Sequence, residues 1–115
     1  MDTTQIRSAI TDGFPYPIVF ADAEHIIRYI NRAAHYHYCI ERGLDDLIGK
    51  SLLDCHFNPA SREKIEAVIR KFKVDAKEIF LAVNDRNQRI YITPVLDDNK
   101  NFIGYYERFE LNLAL

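Results

Sequence analysis

Three groups of side chains in this sequence have the types and spacing to do chemistry. Cys55 and His56 are adjacent. A thiol beside an imidazole can act as an activated nucleophile, and a neutral imidazole can ligate haem iron. Sequence neighbours need not touch, however, and no third orienting group is evident. The plainer readings are a buried structural Cys55 and a His56 that hydrogen-bonds its own loop. His35, His37 and Cys39 form the second group. On a helix, residues two apart point to nearly opposite sides, so His35 and His37 cannot grip one ion. His35 and Cys39 are four apart and share a face, which is half of a zinc site, and no second half follows. The run 34–38 is therefore read as a His/Tyr-rich helix packing one side on a core. The third group is the carboxylate pairs Asp45-Asp46 and Asp97-Asp98, which sit in polar stretches and read as solvated turn residues. No Gly-rich phosphate loop, HExxH or GxSxG occurs, so nothing in the sequence supports an enzyme.

The elements that must position these groups follow from periodicity. Ile6 and Ile10, four apart, suit a short amphipathic helix over 3–12 that Gly13 ends. Pro15 and Pro17 force an extended entry into a strand at 18–21. Residues 22–25 form the turn and 26–30 the returning strand. Asn31 caps a helix over 32–41, with Gly43 just past its end. Residues 45–48 read as another short helical turn before Gly49. Asn58-Pro59 starts the clearest helix, in which Ile65, Val68, Ile69 and Phe72 make one apolar stripe. The last 40 residues switch to strands at 78–83, 89–95 and 102–111, separated by polar turns at 84–87 and 97–101. That pattern predicts an α+β fold with helices on one face of an antiparallel sheet.

Composition narrows the function classes. The 115 residues are 48% hydrophobic and 28% charged, which predicts one globular domain with a core of its own. Fifteen Lys and Arg against 17 Asp and Glu leave a net charge of −2. Lys50, Arg62, Lys64, Arg70, Lys71 and Lys73 cluster around one helix, but Glu63 and Glu66 interrupt them, so a solvated face is expected and no direct nucleic-acid contact. Two cysteines outside a CxxC pattern, no signal peptide and no apolar stretch of about 18 residues point to a reducing, cytoplasmic setting without membrane insertion.

Asp22 at the end of the first strand, Asn31-x-Ala33 at the next helix start, and Leu47-Ile48-Gly49-Lys50 before the later helices occur in an order that resembles the PAS domain family. The resemblance covers roughly 14–111. It implies a five-stranded antiparallel sheet in spatial order 2-1-5-4-3, with helices over one face. The segment from Gly49 to His56 also resembles a PAS subgroup carrying a Cys-His pair after that glycine. One departure is the first hairpin, where Glu24-His25 replace the usual Asp-x-x-Gly glycine. The turn must then avoid positive φ or carry strain.

The resemblance implies a sensory and signal-transduction domain. It would bind a small ligand or partner protein between sheet and helices and relay a change to an effector module. Ile69, Phe72, Ile79, Leu81, Ile92 and Tyr106 are the expected pocket lining, although the same residues would serve a filled core. His56 is the candidate cofactor ligand, which makes a haem-binding redox or gas sensor one alternative. A purely structural dimerisation module is the other. A flavin photosensor is not expected, because Asp54 and His56 stand where that chemistry needs Asn and Arg around Cys55. Residues 1–13 are expected to contact a second subunit in a homodimer, 14–111 to form the domain, and 112–115 to be a tail.

Overall fold

The computed structural model describes residues 1–55 and 59–113. The elements run α1 (Thr3–Asp12), β1 (Val19–Asp22), β2 (Ile27–Ile30), α2 (Arg32–His35), a π-helical turn (Tyr36–Glu41), a 3-10 turn (Leu53–Cys55), α3 (Pro59–Phe72), β3 (Ile79–Val83), β4 (Gln88–Leu96) and β5 (Phe102–Leu111). The strands form one antiparallel sheet in the order β2-β1-β5-β4-β3, as the resemblance implied.

Alternation along the strands divides the sheet into two faces. Val19 and Ala21 of β1 pair with Glu107 and Tyr105 of β5, and Ile92 of β4 pairs with Glu107 from the other side. These residues are all buried and face the helices. The α3 stripe Ile65, Val68, Ile69 and Phe72 closes over them, with the Phe72 ring 6.2 Å from that of Phe102.

All three hairpins use one device. Asp22, Asn84 and Asp97 each accept backbone N–H bonds on Oδ1 from residues two and four positions on. The residue three positions on then takes positive φ, at His25 (70°), Asn87 (58°) and Lys100 (63°). This position suits glycine, since a Cβ there costs about 1–2 kcal/mol. None of the three is glycine, so of the two readings open for the first hairpin, a turn that avoids positive φ or one that carries strain, His25 takes the second.

The segment 45–48 is not the helical turn expected from sequence. Gly43 (φ 68°) ends the preceding helix, and the chain then runs along the free edge of β2. Gly49 donates to the Ile27 carbonyl at 2.8 Å, Ile27 to Lys50 at 2.9 Å and Leu52 to His25 at 2.7 Å. Those bonds cover an edge that would otherwise offer unpaired groups. Gly49 has φ 88° and open space at its Cβ position, so backbone freedom alone calls for glycine there.

Candidate functional site

A cavity of about 750 Å³ lies between the inner sheet face and the segment 38–54. Val19 and Ile27 form its apolar floor, with the buried carboxylate of Glu107 beside them. Leu47 and Leu52 come from the loop zipped to β2, and Lys50 and Asp45 from its rim. Tyr38 and Arg42 enter from the end of the α2 helix, where the π turn shifts the helical phase. The Arg42 guanidinium carbon stands 5.5 Å from the Tyr38 ring centre. The space is thus an apolar hollow with a few convergent polar groups, the usual make-up of a small-molecule site.

The residues expected to line a pocket are distributed differently. Ile69, Phe72 and Ile92 belong to the close-packed core, and Ile79 and Leu81 pack against it half-buried. None of these five is among the residues lining the 750 Å³ cavity. Tyr106 lies on the opposite face, because its β5 neighbours Tyr105 and Glu107 turn inward. The Val95/Leu96 irregularity sets this phase: it pairs Leu96 with Phe102, so Phe102 and Tyr105 both face the core although they are three apart. His56, the side chain of Cys55 and the cap residue Asn58 lie outside the described part of the structure. Cys39 Sγ is 3.8 Å from the Asp45 carbonyl, and no group of three His, Cys, Asp or Glu positioned for a metal occurs among the described residues.

Two polar groups that the sequence did not assign to the core stand out. Asn31 is 1% exposed, and its side chain makes four hydrogen bonds. Its Oδ1 accepts from Ile18 and Ala34 at 2.9 and 3.0 Å, and its Nδ2 donates to the Thr11 and Tyr16 carbonyls, both at 3.1 Å. The expected helix cap is therefore also the tie between α1, β1 and α2. The second group is His25, whose Nδ1 lies 2.7 Å from the hydroxyl of Tyr105, 80 residues away and fully buried. Burial pushes the Tyr105 hydroxyl up and holds the His25 imidazole below its ordinary value. Glu66 of α3 and Asp22 work against the His25 shift, and Lys73 adds to it. The Asp22 carboxyl is held below its usual range: burial opposes ionisation, but the Arg28 bond and the Ile26 and Glu24 N–H groups outweigh it.

The His25 shift has a definite sign in stability. Its folded value is depressed below 6.5, so the unfolded chain takes up the proton first. The neutral ring's contribution is complete above about pH 6.5 and is lost as pH falls through the folded value. Asn tolerates positive φ and cannot titrate. We therefore expect the urea midpoint of the wild type to fall more between about pH 7.5 and pH 5 than that of His25→Asn. Parallel curves for the two proteins would remove His25 from the pH response.

A family model described as PAS domain matches residues 9–110. The PAS domain of a protein from Colwellia psychrerythraea is similar at 16% identity and a TM-score of 0.70, over 95% of this chain and 96% of that one. The PAS domain of Bordetella pertussis BvgS is similar at 17% identity and a TM-score of 0.63, over 100% and 89%. The Vibrio cholerae Aer2 receptor, described as a dual PAS-heme oxygen sensor, is similar at 19% identity and a TM-score of 0.53, over 86% and 95%. No curated protein sequence matches this chain. No helix among the described residues is long and apolar enough to cross a membrane.

Proposed function

The chain belongs to the PAS domain family, and from that premise we propose that it is a sensory domain whose signal is a small molecule held in the cavity between β1, β2 and the segment 38–54. The observation that carries this reading is the cavity itself. Its volume of about 750 Å³ falls within the usual range for ligand sites, and polar side chains from three elements converge on an apolar floor. The wall formed by the segment 44–52 is joined to β2 by a few backbone bonds, so its position can respond to an occupant at small cost. A ligand that binds one arrangement of that wall better shifts the population toward it. The change passes to an effector through the chain ends or a second copy. Ile6 and Ile10 of α1, 45% and 61% exposed, are the surface that would meet that copy in a homodimer.

The test begins with mass spectrometry and an absorbance spectrum of the protein as purified, followed by a thermal-shift screen of small metabolites. A true ligand at about 100 times its Kd stabilises by roughly 2.7 kcal/mol. Leu44 lines the cavity from its rim and is 39% exposed, so Leu44→Trp fills the space with little disturbance to the core. The stabilisation should vanish in that variant. A Soret band would move the reading to haem. No co-purifying molecule and no stabilising compound would leave a filled-core dimerisation module, whose oligomeric state light scattering reads.

A further inference from the structure

A second hollow of about 590 Å³ lies on the other side of the sheet, between the 11–18 connector and the outer face of β1 and β5. Six of its lining residues are aromatic: Phe14, Tyr16, Phe20, Tyr29, Tyr106 and Phe109. None of the six is buried, and Phe14 is 49% exposed, so their ring surfaces are not used up by packing against one another. Phe20 lies against the strand beneath it. Its ring lies directly over Gly104, where an added Cβ would come within 2.6 Å of it. The hollow therefore has an aromatic floor.

The charges at its rim are already matched. Arg108 donates to Glu78 at 2.6 and 2.9 Å and to Glu110 at 3.0 Å, and the Tyr91 hydroxyl donates to Glu110 at 2.9 Å. A charged ligand would have to break these pairs, so a neutral one is favoured. One polar contact inside is defined. Thr11 Oγ1 stands 3.1 and 3.0 Å from the Arg7 and Ser8 carbonyls, either of which can take its single hydroxyl proton. In that arrangement the Tyr29 hydroxyl, 2.7 Å from Thr11 Oγ1, gives its own proton to Thr11. That leaves Tyr29 Oη as an acceptor within an otherwise aromatic space.

We infer that this hollow is a second binding site, for a neutral, flat aromatic molecule carrying one N–H or O–H donor, of the indole or phenol class. The rings supply offset-stacked and edge-on contacts, and Tyr29 accepts the donor. The site is separated from the inner cavity by the thickness of the sheet, so neither inference depends on the other.

Indole is the probe. The chain contains no Trp, so indole emission can be excited without protein background. The expected result is saturable binding with a blue-shifted emission and a Kd of roughly 0.1 mM. The N–H bond should make indole bind roughly 3- to 10-fold tighter than 1-methylindole, and Tyr29→Phe should abolish that preference, with 1-methylindole on the same variant as the reference. NMR on the same samples should place the perturbed signals at Phe14, Tyr29 and Tyr106. Absence of saturation, equal affinity of the wild type for the two indoles, or perturbations centred on Val19, Leu47 and Glu107 would each overturn the inference. So would intermolecular contacts showing α1 of a second copy seated in the hollow.

Discussion

Replacing Asn31 with alanine is expected to lower stability by about 3 kcal/mol and to release α1 before the rest of the domain unfolds. The reasoning starts from α1, which has no buried residue. What holds it to the domain is mostly polar. Asn31 Nδ2 donates to the Thr11 carbonyl, Thr11 and Tyr29 share a hydroxyl bond, and the Arg32 N–H donates to Asp12 at 2.9 Å. Alanine removes all four Asn31 bonds at once. Loss of the cap to Ala34 accounts for about 1 kcal/mol, and the half-buried backbone groups of Ile18 and Tyr16 that lose their Asn31 partner, with the weakened tie to Thr11, for about 2 more. Asn31→Ser separates the two contributions. Its hydroxyl can restore the cap but is too short to reach Thr11 and Tyr16, so it should recover about a third of the loss. Urea unfolding reads the global change, and hydrogen exchange over Thr3–Asp12 reads the release of α1. A loss under about 1 kcal/mol, with α1 still protected, would show that α1 is held by something other than this asparagine.

The same residue shows how much of the molecule the sequence disclosed. Its role as a cap was legible because capping is local: an acceptor side chain directly before a helical pattern is a short-range signal. Its other three partners, Ile18, Thr11 and Tyr16, lie 13, 20 and 15 residues back, and no spacing rule connects them. His25 divides in the same way. The absent glycine left a turn without positive φ or a strained one, and the partner that holds the ring, Tyr105, is reached only through the sheet. The strand limits were legible because they follow from alternation and turn chemistry, whereas the sheet order came from the resemblance to the PAS family.

The inner face of β5 was harder. One phase of that strand carries Tyr105, Glu107 and Phe109, the other Tyr106, Arg108 and Glu110. The first has fewer charges, a cue favouring the observed phase. It was masked because Phe102 belongs to the opposite phase and yet faces the core across the irregularity at Leu96. The cavity could not be read from sequence, because it depends on the π turn and on a loop that runs along β2 instead of coiling.

Gly104→Ala is the second change with a large expected effect, and it bears on both cavities. An added Cβ would stand 2.3 Å from the Ala21 carbonyl oxygen and 2.6 and 2.8 Å from the Phe20 ring. The ring can rotate or shift, but the carbonyl is main chain within the β1–β5 pairing, where Gly104 sits opposite Asp22. Relief therefore requires the two strands to part. Overpacking in a close-packed interior commonly costs about 1–3 kcal/mol, and with backbone as the obstacle the upper end, about 3 kcal/mol, is expected. Phe20→Ala in the same chain tests the account. It removes the ring but not the carbonyl, so the double variant should regain only part of the stability lost at Gly104, beyond the cost of Phe20→Ala alone. Full recovery would mean that the ring was the whole obstacle, and no recovery that the ring was never in the way. The pairing that Gly104 permits is what sets Val19 opposite Glu107 on one face and Phe20 beside Tyr106 on the other. Parting β1 from β5 therefore disturbs the floor of the inner cavity and the aromatic floor of the outer one together. Binding at both sites should weaken in Gly104→Ala, whereas Leu44→Trp should affect only the inner.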